Sequence, residues 1–288
     1  MSGAAAGLDV GAVFASGLDL FGSVPGSGED YVCRGCLGPR GGPPRLCHAC
    51  RRLFLGQERA GRAPRRLTAR IVPMTAALNP SPWYTRLATY KRGNPELAPL
   101  LGALAATFLE VHAGPIATLL GGAPTLITTV PSKRGIPYEA QPLRRALALC
   151  PSPRQLLAPV LAFDPAAAGD RAAAGRGRYT PGCFKPLGRG PLGERIALVE
   201  DTWVTGATAL SAAGALLMHG AAAVAILPLA RCLDTSYWGE LHPYRAAADR
   251  PYRVAFWPRP EGSVGLAKGR ADRPEGSVGL VKGRADRP

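Results

Sequence analysis

Residues 195–231, RIALVEDTWVTGATALSAAGALLMHGAAAVAILPLAR, decide the fold. Ile196–Val199 is a short unbroken apolar run, the pattern of a strand buried on both faces. Glu200 and Asp201 follow at once, then a turn ending Thr205-Gly206-Ala207-Thr208. From Ala207 to Met218 the chain is rich in Ala and Leu and favours helix, and Gly220 stands where a helix C-cap belongs. Val224–Leu229 is apolar again and reads as a second strand. Strand, loop, helix and strand in this order form a parallel, right-handed unit, so the fold class is α/β.

The chemistry lies in the loop. The end of the first strand places two carboxylates beside the first turn of a helix, whose unpaired N–H groups and dipole attract phosphate. Small residues and hydroxyls at 205–208 let the backbone approach an anion closely, while Glu200 and Asp201 can accept hydrogen bonds from vicinal hydroxyls. Phosphate at one end and a diol at the other describe a sugar phosphate. The plainer alternative is a capped helix after an acidic strand end. The spacing fits both readings, and the residue types favour the ligand site.

VEDTWVTGAT resembles the PRPP-binding motif of type I phosphoribosyltransferases: apolar positions, two acids, then a Thr-Gly-x-Thr loop. Within that superfamily the chain looks like the ComF group, competence-associated and amidophosphoribosyltransferase-like, over roughly residues 30–235. It departs from the pattern in Glu200, where the first acid is commonly Asp, and in Val204, where Thr is usual. The resemblance implies a parallel-sheet phosphoribosyltransferase core with a small N-terminal zinc module. In such a core Thr205, Gly206, Ala207 and Thr208 hold the 5′-phosphate, and Thr202 counts among the substrate-binding residues. Glu200 and Asp201 are the catalytic acids, facing the ribose hydroxyls, and Mg²⁺ arrives with PRPP.

Cys33-x-x-Cys36 and Cys47-x-x-Cys50 are the second strong signal. Two such knuckles bring four thiolates within reach of one tetrahedral Zn²⁺. Disulfides are the competing reading, but no secretory signal accompanies the cysteines, and cytosolic thiols stay reduced. A closed four-sulfur site leaves no position for substrate, so this zinc is expected to be structural. His48 lies inside the second knuckle as a bystander.

Residues 33–92 hold 13 Lys and Arg against the single acid Glu58. Zinc with four thiolates removes roughly two units of that charge and leaves the region basic. Such density suggests an anionic partner, with single-stranded DNA the candidate. Arg outnumbers Lys 30 to 5, as GC-rich coding would also produce. Within Trp83–Gly93 aromatics alternate with cations, either to stack on bases or to fix the small module to the core. The Tyr-Lys-x-Gly element at Tyr90–Gly93 is similar to the ComF pattern.

Leu97–Val111 reads as an amphipathic helix. Thr125–Val130 is strand-like and runs into Pro131-Ser132-Lys133-Arg134-Gly135, which resembles the family's pyrophosphate loop. That likeness implies pyrophosphate binding by Ser132, Lys133 and Arg134. A helix is expected at Pro142–Cys150 and a strand at Val160–Phe163. Asp170–Phe184 is rich in Gly and Arg without periodicity and is expected to be mobile. In the resembled enzymes a loop at this place closes over PRPP, which makes Arg176, Arg178 and Tyr179 candidates.

Cys150, Cys183 and Cys232 lack ligand spacing, and His112, His219 and His242 lack a nearby nucleophile; all six read as ordinary structural groups. The tail repeats a 14-residue unit, RPEGSVGLAKGRAD then RPEGSVGLVKGRAD, whose Gly, Pro and charge cannot build a core.

The expected organisation is an amphipathic segment at 1–30 and the zinc module with its basic linker at 31–70. The phosphoribosyltransferase-like domain follows at 71–258, then a disordered tail at 259–288. No apolar run reaches the about 18 residues a membrane span needs. The N-terminus carries Asp9 and Asp19 and no basic region, unlike a signal peptide, so a cytoplasmic location is expected. Two functions compete. One is a phosphoribosyltransferase-like protein acting on PRPP. The other is a non-catalytic ComF-type module that contacts single-stranded DNA or a partner in DNA uptake. Neither the nitrogen acceptor nor the oligomeric state has a readable code.

Overall fold

In the computed structural model, described for residues 8–40, 45–59, 70–91, 94–167, 178–237 and 242–258, four strands form a parallel sheet. They are β1 (Thr75–Asn79), β2 (Leu126–Thr129), β5 (Arg195–Trp203) and β6 (Ala223–Asp234), in the order β1-β6-β5-β2. Two short strands, β3 (Leu161–Phe163) and β4 (Phe184–Pro186), pair antiparallel beside it. The expected parallel α/β unit is present, and helix Ala207–Met218 joins β5 to β6 at the bounds its composition suggested.

The first strand is longer than its apolar run. It pairs with β6 through Thr202↔Ala230 and Trp203↔Arg231, so Glu200 and Asp201 are strand residues and the loop begins at Val204. The reason is register. β6 is buried over almost its whole length and offers partners past Pro228, and burial of the Trp203 ring favours following it.

Both faces of the sheet are covered, as continuous apolar strands require. Ala197, Val199, Ala225 and Leu227 face helices α4 (Ala98–Val111) and α5 (Ala113–Leu120). Ile196, Leu198, Val224 and Ile226 face Ala207–Met218. At the N-terminus α1 (Val10–Ala15) is capped by Asp9, which accepts from the Ala12 N–H at 3.0 Å, and it packs on α4 through Phe14. Among the described residues no single helix is long and apolar enough to cross a membrane.

Several expectations shift in detail. Leu97 ends a short 3₁₀ turn ahead of α4, and the helix expected at Pro142–Cys150 ends at Ala148, with a further short helix, Pro151–Leu156, following it; a proline opens each. Of the segment expected to be mobile, 181–183 is ordered as a 3₁₀ turn and Phe184 opens β4. Residues 60–69 of the basic linker, Gly41 and Gly42, Arg92 and Gly93, Arg176, and the tail at 259–288 lie outside the described residues.

Gly102 marks where α4 and helix Pro142–Ala148 touch: a methyl group there would run into the Ala146 carbonyl oxygen. Overpacking costs about 1–3 kcal/mol, against a helix-propensity gain of about 1 kcal/mol. Gly102→Ala is therefore expected to lower stability by about 1 kcal/mol in urea unfolding. A gain in stability would refute the close approach.

His112 is buried against Phe108 and Trp257 and donates from Nε2 to the Val254 carbonyl. Burial pushes its pKa down, with that hydrogen bond acting the other way. The unfolded chain then takes up this proton near pH 6.5 and the folded chain only at lower pH. Stability therefore falls as pH drops below about 6.5 and levels off below the folded pKa. The thermal midpoint of His112→Gln should be less sensitive to acid between pH 7 and 5 than that of the wild type.

Candidate functional site

At the carboxyl ends of β2 and β5, where parallel sheets bind ligands, lies a cleft of about 330 Å³. Pairing continues past β2, with the Val130 N–H donating to the Val199 carbonyl at 3.1 Å, so the turn after Pro131 emerges beside Glu200. That turn is held from within. The Arg134 N–H donates to Ser132 Oγ at 3.2 Å, and Gly135 supplies the positive φ of 69°. Gln141 braces it from behind, donating to the Ile136 carbonyl at 3.3 Å and accepting from Thr129 Oγ1 at 3.1 Å.

The lining joins groups that are far apart in the chain. Ser132, Lys133 and Arg134 form one wall, Glu200 and Asp201 another, and Thr208 lies at the start of α8 (Ala207–Met218). Lys133 and Arg134 are exposed, and both acids are half-buried. Asp201 Oδ1 accepts from the Thr202 N–H at 2.6 Å and from Thr202 Oγ1 at 3.3 Å. The cleft is thus bipolar, with cations on one side, carboxylates on the other and a helix N-terminus between.

Gly206 shapes that N-terminus. It is the N-cap residue of α8 at φ 77°, in the left-handed region, and has no side chain to occupy the first amides. A methyl group in its place would run into the indole of Trp203. Thr205, Gly206 and Ala207 form the turn without lining the cleft, and Thr202 is buried within the strand pairing.

Tyr90 was not among the expected site residues. It lies in the last turn of α3 (Pro82–Lys91) and is 3% exposed, and it lines the cleft with a hydroxyl that meets no partner among the described residues. Burial raises its pKa above the usual tyrosine range, with the Asp201 charge adding to the rise and Arg145 opposing it. It is therefore a neutral hydrogen-bond donor near Asp201. Its only sequence signal was the Tyr-Lys-x-Gly element. Trp83, on the same helix, is 1% exposed and donates to Thr75 Oγ1 at 2.9 Å. Neither ring is free to stack on bases. Their burial fixes α3 to the core, which is neither of the two roles considered for this stretch.

Tyr179, a candidate for loop closure, sits against Gly214 on α8, and the neighbouring Thr180 N–H donates to Ser211 Oγ at 2.9 Å. Its docking place is thus along the helix and not over the cleft. Arg178 is exposed.

The four cysteines converge at a second centre. The sulfurs of Cys33, Cys36, Cys47 and Cys50 all lie within 4.8 Å of one another, with Cys36 and Cys47 3.8 Å apart. A tetrahedron with Zn–S bonds of about 2.3 Å has sulfur–sulfur edges of about 3.8 Å, so the set fits zinc. The Cys47 N–H donates to Cys33 Sγ at 3.2 Å. Cys36 is held well below the usual thiol range by the hydrogen bond with Cys33, then by those with Cys47 and Cys50. His48 is exposed and outside the cluster. Cys150, Cys183 and Cys232 are buried and form no disulfide among the described residues. His242 caps helix α9 (Pro243–Ala248), its Nδ1 accepting from the Tyr244 N–H at 3.1 Å.

Compared with protein-family models, curated proteins and solved structures, the chain finds no match. Its function is read from the two centres themselves.

Proposed function

We propose that this chain is a phosphoribosyltransferase-like protein of the ComF kind, which binds PRPP with Mg²⁺ and transfers or senses its 5-phosphoribosyl group. One observation carries the reading. A cleft at the strand ends unites the cationic turn at 132–134, the acids Glu200 and Asp201, and Thr208 of the helix start. Its volume, about 330 Å³, lies in the range of small-ligand sites.

Each part then has a task. Lys133, Arg134 and the amides of their turn hold pyrophosphate, Thr208 and the first amides of α8 hold the 5′-phosphate, and the two acids accept from the ribose hydroxyls. Two carboxylates with substrate oxygens suit Mg²⁺, which usually binds through one or two carboxylates together with phosphates. When bound, the metal supplies screening of the charge that grows on the leaving pyrophosphate. The cleft residues contribute position and electrostatics, the main sources of rate for an oxocarbenium-like transition state. Tyr90 adds a neutral donor beside Asp201. The four cysteines hold a structural zinc.

Calorimetric titration of PRPP in the presence and absence of Mg²⁺ tests the reading, together with pyrophosphate release in the presence of ammonia and a panel of bases. Saturable binding that Mg²⁺ strengthens and pyrophosphate competes away is the expected result. Silence toward PRPP together with tight, salt-sensitive binding of single-stranded DNA would replace it with the non-catalytic alternative.

A further inference from the structure

Arg231 lies between the two centres. It ends the stretch that pairs with β5, is 6% exposed, and its Nη1 donates to the carbonyls of Trp203 at 2.8 Å, Val204 at 2.7 Å and Cys232 at 2.9 Å. The other side of the guanidinium lies on the cysteine knuckle. A Cβ at Gly38 would stand 2.7 Å from Nη2 and 2.8 Å from Nε, so only glycine admits the arginine there. The knuckle is anchored from a third element, since Tyr244 Oη donates to the carbonyl of Leu37 at 2.8 Å. Trp203, whose carbonyl Arg231 holds, packs in one apolar cluster with Cys33, Cys36 and Cys50, and its ring occupies the space beside Gly206.

A buried cation needs compensating charge and hydrogen bonds. Arg231 finds the hydrogen bonds in the turn carbonyls. Burial works against its charge, and Cys36, then Tyr244, Cys47 and Cys50, work for it. A zinc tetrathiolate carries a net charge of about −2, so metal loading gives this guanidinium a fixed anionic neighbour.

We propose that Arg231 is a positioning residue that couples metal occupancy of the four-cysteine centre to the shape of the 203–206 turn, and so to the anion-binding end of the cleft. Its two sides have separable tasks. The positive charge answers the thiolates, while Nη1, held at a fixed place by the planar guanidinium, meets three carbonyls at once; a lysine ammonium on a flexible stem is placed with far less geometric definition. The zinc is then a requirement of the turn and not only of the small module. The ligand half of the inference rests on the phosphoribosyl reading above; the coupling between metal and turn does not.

The test is amide hydrogen exchange on the full-length zinc-loaded protein, before and after an excess of chelator, with Arg231→Lys beside the wild type. Chelation should speed exchange at 203–209 at least tenfold while 196–199 and 224–229 keep their protection. Arg231→Lys should retain one zinc per chain, show the same acceleration with zinc present, and bind PRPP at least tenfold more weakly. Unchanged protection at 203–209 after chelation overturns the proposal. So does loss of protection throughout the sheet, since zinc would then hold the whole fold. Should the lysine variant not fold, the chelation arm on the wild type decides. If the wild type binds no PRPP yet shows the local acceleration, the ligand reading fails and the coupling stands.

Discussion

Gly206→Ala is expected to destabilise the protein by about 3 kcal/mol and to abolish PRPP binding. Two costs add. At φ 77° the residue is in the left-handed region, which any side chain enters at about 1–2 kcal/mol. The new methyl group also enters the space of the Trp203 indole, an overpacking cost of about 1–3 kcal/mol. The ring has little room to retreat, being 1% exposed and packed with the cysteine knuckles and Leu210. Any retreat moves the turn from which the first amides of α8 point, and these are the groups assigned to phosphate. Urea unfolding measures the first effect and PRPP calorimetry on the folded fraction the second. A variant with wild-type stability would mean that the glycine is not confined as described.

Asp201→Asn is expected to leave the fold intact and to weaken PRPP binding by between about 10-fold and 100-fold. The amide is nearly isosteric, and its oxygen can still accept from the Thr202 N–H. Only the charge is lost. Hydrogen bonds to a charged acceptor contribute about 1.5–3 kcal/mol, which sets the size of the effect. Loss of a carboxylate that Mg²⁺ could use acts in the same direction. Calorimetry at fixed Mg²⁺, with the unfolding curve as control, gives the answer. Equal affinity in the two proteins would remove Asp201 from the binding site and with it the assignment of the ribose.

Glu200 and Asp201 show how far local pattern reached. Two acids after four apolar residues read as the end of the strand, and the strand runs two residues past them, because pairing there is set by β6 and not by local propensity. Helix Ala207–Met218 was legible to its ends because helix propensity and a C-terminal glycine are local properties. The cysteine spacing was legible for a similar reason: short knuckles carry their own geometry, and the four sulfurs do converge. Tyr90 was readable as part of an aromatic and basic stretch, but not as a wall of the cleft. Its neighbours there, Ser132 and Asp201, are distant in sequence.

By itself, then, the sequence determined a strand–helix–strand unit with two acids at its turn, and a set of four thiols spaced for one metal. Both are encoded over a few dozen residues, where propensity and spacing act directly. Only the tertiary structure decided the strand order β1-β6-β5-β2, the meeting of Lys133 and Arg134 with Glu200 and Asp201, and the placing of Arg231 between the thiols and the turn. Those arrangements depend on burial and register between segments far apart in the chain, for which no local run of residues carries a signal.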